Sequence, residues 1–150
     1  MKYKAINQLE QFQFSDASIL DIDYHLTTLA FQLANVTIPA SNPNNRDIRD
    51  MRTNDLILTF EGATIVNFVE EGYKLYDADN NLTNSVPDKS LTPASYEDTL
   101  KSFLDAPIYS IEIKEDNICI INIDADMHTF FIEISYEKCI IEWDRFLQKE

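Results

Sequence analysis

Glycine is nearly missing from this chain: Gly62 and Gly72 are the only two in 150 residues. Neither a glycine-rich dinucleotide fingerprint nor a phosphate-cradling loop can be built from two glycines. Histidine is just as rare, with two residues, so a Ser–His or Cys–His nucleophilic pair has few ways to exist. The two cysteines, Cys119 and Cys139, sit in apolar runs among Ile and Glu, where nothing positive lowers a thiol's pKa. Buried free thiols are the expectation, with a facing pair on adjacent strands as the other arrangement. No stretch approaches the roughly 20 apolar residues of a membrane span. The opening MKYKAINQLEQF lacks a signal peptide's apolar core, which predicts a cytoplasmic protein.

Positive charge is also scarce. Twelve Lys and Arg face 26 Asp and Glu, for a net charge of −14. The excess is spread out: residues 1–50 carry 4 basic and 6 acidic groups, residues 51–100 carry 3 and 9, and residues 101–150 carry 5 and 11. Such a field repels nucleic acid and anionic lipid and speeds encounter with basic proteins. Its plainer use is to keep the chain in solution.

What the sequence has in abundance is alternation. In SILDIDY, Leu20, Ile22 and Tyr24 fall on one side and Ile19, Asp21 and Asp23 on the other. TLAFQLA places Leu29, Phe31 and Leu33 together, and DLILTFE repeats the pattern with Leu56, Leu58 and Phe60 inward. Period two with one wet face favours antiparallel strands. Gly62 interrupts the run 55–69, where a bulge or bend lets a strand continue. Later runs (IYSIEIK, NICIINI, HTFFIEISY, KCIIEW) are joined by the turn-forming links Glu115-Asp-Asn117 and Asp124-Ala-Asp-Met127.

Helix is limited to SYEDTLKSFLD over 95–105, with Ser95 as cap and Leu100, Phe103 and Leu104 as its stripe, and to a weaker candidate at 4–11 that turns Ile6 and Leu9 to the sheet. Residues 39–54 and 76–94 read as polar loops. The expected architecture is α+β: a single β-rich domain over 1–150, predominantly an antiparallel β-meander sheet with one or two short helices packed on it.

Four groups of polar residues are candidates for function. Asp21, Asp23 and His25 project from one strand face at intervals of roughly 7 Å, too far apart for one strand to converge them on an ion. Asp124, Asp126 and His128 straddle a turn, where a metal-assisted hydrolase site is the sharpest enzyme reading, especially if the two D-x-D-x-H clusters lie on neighbouring strands. Asp77-Ala-Asp79-Asn-Asn81 opens like a calcium loop, but Leu82 stands where glycine is needed and Asp88 where a bidentate Glu is needed. Arg46, Arg49 and Arg52 recur every third residue beside Asp47, Asp50 and Asp55, as surface ion pairs on a short amphipathic turn do. Trp143 is either an aromatic plug of the core or, pointing outward, an interface anchor.

FSDASILDIDYHLTTLAF (14–31), LTFEG (58–62) and Trp143-Asp144 carry a resemblance. They resemble small bacterial proteins with a Phe-His-Asp-type opening, some of which look like immunity proteins encoded beside polymorphic toxins. Ser15 stands where that opening often carries His. The resemblance implies a sheet-dominated α+β fold and a cytosolic role, and it transfers no catalytic residue.

Together these readings predict a non-enzymatic binding protein, an immunity-type inhibitor that lays acidic groups across a basic toxin domain and calls for no cofactor. The contact residues expected are Asp21, Asp23, Glu70, Glu71, Asp77 and Asp79, with Tyr73 and Tyr76 as rigid contact area. A self-associating scaffold is the third reading.

Overall fold

The structure, a computed structural model, describes residues 1–125 and 127–148. The first strands are β1 (Tyr3–Ile6), β2 (Ser18–His25), β3 (Thr28–Ala34), β4 (Val36–Ile38), β5 (Met51–Thr53), β6 (Leu56–Glu61) and β7 (Thr64–Glu70). Next come β8 (Tyr73–Tyr76), β9 (Leu82–Val86), β10 (Lys89–Ser90) and the helix α1 (Pro93–Lys101). β11 (Ile108–Glu115), β12 (Ile118–Ala125), β13 (His128–Ser135), β14 (Lys138–Trp143) and β15 (Leu147–Gln148) complete the described chain. One five-stranded sheet runs β1-β14-β6-β3-β2 and a second runs β10-β7-β13-β12-β11. A small sheet, β15-β5-β4, and the lone hairpin β8-β9 stand beside them.

Alternation builds both large sheets. Leu29, Phe31 and Leu33 on β3 and Leu56, Leu58 and Phe60 on β6 are buried, as are Cys119, Ile121 and Ile123 on β12 and Ile132 and Ile134 on β13. All of them belong to one apolar cluster fed by both sheets, so two layers share one core. Trp143 is the plug, fully buried, with Tyr3 stacked on it at 5.5 Å and Phe12 and Phe146 meeting it edge-on. Phe103, just past α1, closes the other end against Phe68 and Phe130. Burying one such side chain contributes about 1.5–3 kcal/mol.

Several expectations need correction. The expected meander holds locally, in β11-β12-β13 and β2-β3, but β14 lies between β1 and β6, and β7 pairs with β13. Gly62 does not let one strand continue: with φ of +61° it sends the chain from β6 in one sheet to β7 in the other. A bulge between Ile19 and Asp21 shifts the parity of β2. Ile19 is therefore fully buried, on the core side with Ile22 and Tyr24, whereas Leu20 is exposed.

The helix candidate at 4–11 is a strand and a 3-10 turn (Leu9–Gln11). Only Ala5 of β1 is buried, period two rather than 3.6, and Asn7 at φ +54° ends the strand while accepting from the Cys139 N–H. Helix α1 starts at Pro93, whose fixed φ and missing N–H suit a first helical position, and it stops at Lys101. Ser95 is thus inside its first turn, and Leu104 is exposed. The segment 76–94 holds β9, β10 and the start of α1, and β5 lies within 39–54. Cys119 and Cys139 are free and buried, but on opposite sheets rather than adjacent strands.

Gly62→Ala is expected to lower stability by about 1–2 kcal/mol in urea unfolding, because a Cβ at this φ is strained. The added carbon also meets the Glu137 side chain, but that side chain is exposed and can move. Gly62→Asn should lose less, since Asn tolerates the left-handed region.

Candidate functional site

Between β7 and β10 the chain leaves the second sheet and returns to it. The root is clamped. Glu70 pairs with Lys89 across β7-β10, the Glu71 N–H donates to the Thr129 carbonyl, and the Gly72 N–H donates to the Asp88 carboxylate at 2.7 Å. Gly72 sits so close to the Val86 and Pro87 backbone that no Cβ fits there. Beyond this clamp β8 and β9 pair only with each other, and all nine of their residues are exposed.

Local chemistry explains the hairpin. YKLY alternates, and the Asp77 carboxylate caps the turn by accepting from the Asp79 and Asn81 N–H groups, both at 2.9 Å. Asn80 takes φ of +64°, which Asn tolerates. A bulge sets Tyr76 opposite Leu82, and the Thr83 hydroxyl donates to the Leu75 carbonyl beside it. The register places Tyr73, Leu75 and Val86 on one face and Tyr76 and Leu82 on the other. Tyr76 keeps 57% of its surface exposed and Leu82 55%. A two-stranded ribbon is marginal by itself in water, so the clamp and the Asp77 turn hold this arm in shape.

The expected contact residues fall in two places. Glu70 and Glu71 lie at the arm's root, Tyr73 and Tyr76 on its opposite faces, and Asp77 and Asp79 in its turn. Asp21 and Asp23 instead lie on β2, on the outer face of the first sheet. Cross-strand rows there run Asp21–Gln32–Ile57–Glu142–Lys4 and Asp23–Ala30–Thr59–Ile140–Ile6. Among the described residues Asp21, Asp23, Glu70, Glu71 and Asp79 are in no ion pair. Sequence reasoning missed Leu75, Leu82 and Val86. The signal was two alternating runs flanking a D-A-D-N-N turn, obscured by how polar the whole segment is.

The metal reading gains no geometry. Asp124 accepts from the Thr129 hydroxyl at 3.0 Å, His128 lies opposite Ala125, and Asp126 lies outside the described residues. β2 and the β12-β13 hairpin belong to different sheets, so the two D-x-D-x-H clusters are not on neighbouring strands. Among the described residues no three His, Cys, Asp or Glu side chains gather as metal ligands. Burial pushes the Cys139 thiol up to about 12 and the Cys119 thiol higher still, so neither is a ready thiolate. Of the three arginines in 39–54, Arg49 pairs with Asp47 at 3.5 Å and Arg52 donates to the Gln148 carbonyl. Trp143 is the core plug, not an outward anchor. No helix among the described residues is long and apolar enough to cross a membrane. Comparison with protein-family models, curated proteins and solved structures finds no match.

Hydrogen bonds from the Asn81 and Asp79 N–H groups hold the Asp77 carboxyl below its usual value of 3.8. A lowered folded pKa means that the turn's stabilisation is present above the ordinary Asp range and is lost as pH falls through the lowered value. The amide signal of Asn81, which has no carboxyl of its own, should therefore hold through pH 3.8 and move only below it. Movement in step with a free Asp would show that the carboxylate does not cap the turn. Gly72→Ala should displace the arm, read as amide shifts from 72 to 88, while the core signals of β6 and β12 stay in place.

Proposed function

We propose that this chain is a non-enzymatic binding protein, an inhibitor of the immunity type, acting in the cytoplasm on a basic protein such as a toxin domain. The observation that carries the reading is the arm: five apolar side chains (Tyr73, Leu75, Tyr76, Leu82, Val86) held in water on a clamped hairpin. Residues 70–88 also carry five acidic groups against Lys74 alone. Exposed apolar contact area rimmed by charge of one sign is what a binding surface needs. The acidic field speeds encounter with a basic partner, and the apolar anchors, once the partner covers them, set how long the complex lasts. The same charge opposes self-association, since a second copy also carries −14.

The test takes the product of the reading frame beside this chain's own, expected to carry a basic C-terminal domain, and measures rate constants with it at low and high salt. The association rate should fall by about tenfold or more as salt rises. Glu70→Gln with Glu71→Gln should slow association, whereas Tyr76→Ser with Leu82→Ser should raise the dissociation rate by about tenfold or more. Absence of binding, or an association rate indifferent to salt, overturns the reading.

A further inference from the structure

A different part of the molecule carries chemistry that the arm does not use. Residues 39–54 hold Arg46, Arg49 and Arg52 against Asp47 and Asp50, a net +1 within a chain of −14. The loop is built rather than slack. The Asn45 amide, buried, donates to the carbonyls of Ile38, Pro39 and Arg49, and its oxygen accepts from the Asp47 N–H. Asn42, also buried, donates to the Gln11 carbonyl and accepts from the Asn44 N–H. The Asp50 carboxylate accepts from the Ala40 N–H, and Asp47 is taken by Arg49. Both acids of the loop are thus committed.

Arg46 is not. Among the described residues it is in no ion pair and no side-chain hydrogen bond, and it lines a cavity of about 570 Å³. The same cavity is lined by Asp47 and Met51 of this loop and by the rings of Tyr3 and Phe146, which meet edge-on at 4.9 Å. Asn44, which also lines the cavity, uses only its backbone N–H in the loop, which leaves its side-chain amide for a ligand. The volume is within the range of about 300–1,000 Å³ typical of small-molecule sites.

We propose that this cavity binds a small aromatic anion, a planar ring bearing a carboxylate or phosphate. The ring lies against Tyr3, Phe146 and Met51, and the anion is met by the Arg46 guanidinium and the Asn44 amide. A guanidinium matches two oxygens of either anion at once, and aromatic walls favour a flat ligand over an aliphatic one. The site is separate from the arm, so it stands or falls independently of the inhibitor reading.

Trp143 supplies the readout. It is the single tryptophan, it stacks on Tyr3, and it meets Phe146 at 5.9 Å, so a ligand against those rings changes its emission. The full chain is titrated with phenyl phosphate and with phenylacetate, beside inorganic phosphate (charge without ring) and benzyl alcohol (ring without charge). Amide shifts of residues 43–47 are followed in parallel. At least one aromatic anion should bind saturably, about tenfold or more tighter than either control. Arg46→Gln should weaken it by about tenfold or more with the melting temperature unchanged, because Arg46 is exposed and holds nothing else. No saturable change with either aromatic anion overturns the proposal. So does equal affinity in Arg46→Gln, or equal binding of a control.

Discussion

At Gly62 the backbone takes a left-handed step between Phe60, which faces Phe31 and Tyr136, and Ile65, which pairs with Ile134 of the other sheet. A strand that continued straight would keep both apolar faces in one layer and leave each sheet with an open oily side. The step instead puts β6 and β7 in different layers, so inward rows of both sheets close on one cluster. Everything outside that cluster is then free to be polar. That is how a chain with 26 acidic residues keeps a dry core: of its carboxylates, Glu133 alone among the described residues is buried, and Lys114 and Asn67 hold it.

The two layers also explain why the arm is possible. β10 is the edge strand of its sheet, with β7 as its one neighbour there, and the sheet has no strand to offer the residues that lie between β7 and β10. Residues 73–86 therefore pair with each other and bury nothing. Exposed apolar side chains on a marginal ribbon reduce solubility and invite association. Acids at the root and turn oppose that locally, and the net charge opposes it globally. The hydrogen bonds at Gly72 and Asp77 restrict the ribbon, which would lower the ordering cost of the binding proposed for it.

Much of this was legible in the residues. The inward sets of β3 and β6 follow from period two alone, and the turns at Asn117 and Met127, both at positive φ, follow from the Asn and Asp residues in their links. Other features depended on long-range pairing. A bulge in β2 is decided by the partner strand, so Ile19 and Leu20 exchange faces with no local sign. Lys4–Ile6 is short enough that helix and strand periods are both tolerable, and pairing with β14 decides between them. That Tyr73 and Tyr76 stand exposed among acids was readable from composition. That Tyr76 shares a face with Leu82 required the bulge opposite Leu75, and Asp21 and Asp23, close to the same acidic signature, lie on another sheet altogether.

Net charge is a poor guide to the local charge of an individual loop: residues 39–54 carry +1 within a chain of −14. A field of −14 argues against any anion site when treated as one number, yet at physiological salt a charge is screened beyond about 8 Å, so an anion at Arg46 responds mainly to its immediate neighbours. Those neighbours are two aromatic rings, a thioether, amides and an acid already paired with Arg49. The global field still acts on how often a ligand arrives, disfavouring anions and favouring basic proteins. It does not set what holds a ligand once seated. A basic partner drawn in by the summed charge and a flat anion held at one locally positive corner are therefore compatible proposals for one surface, because the two effects operate over different distances.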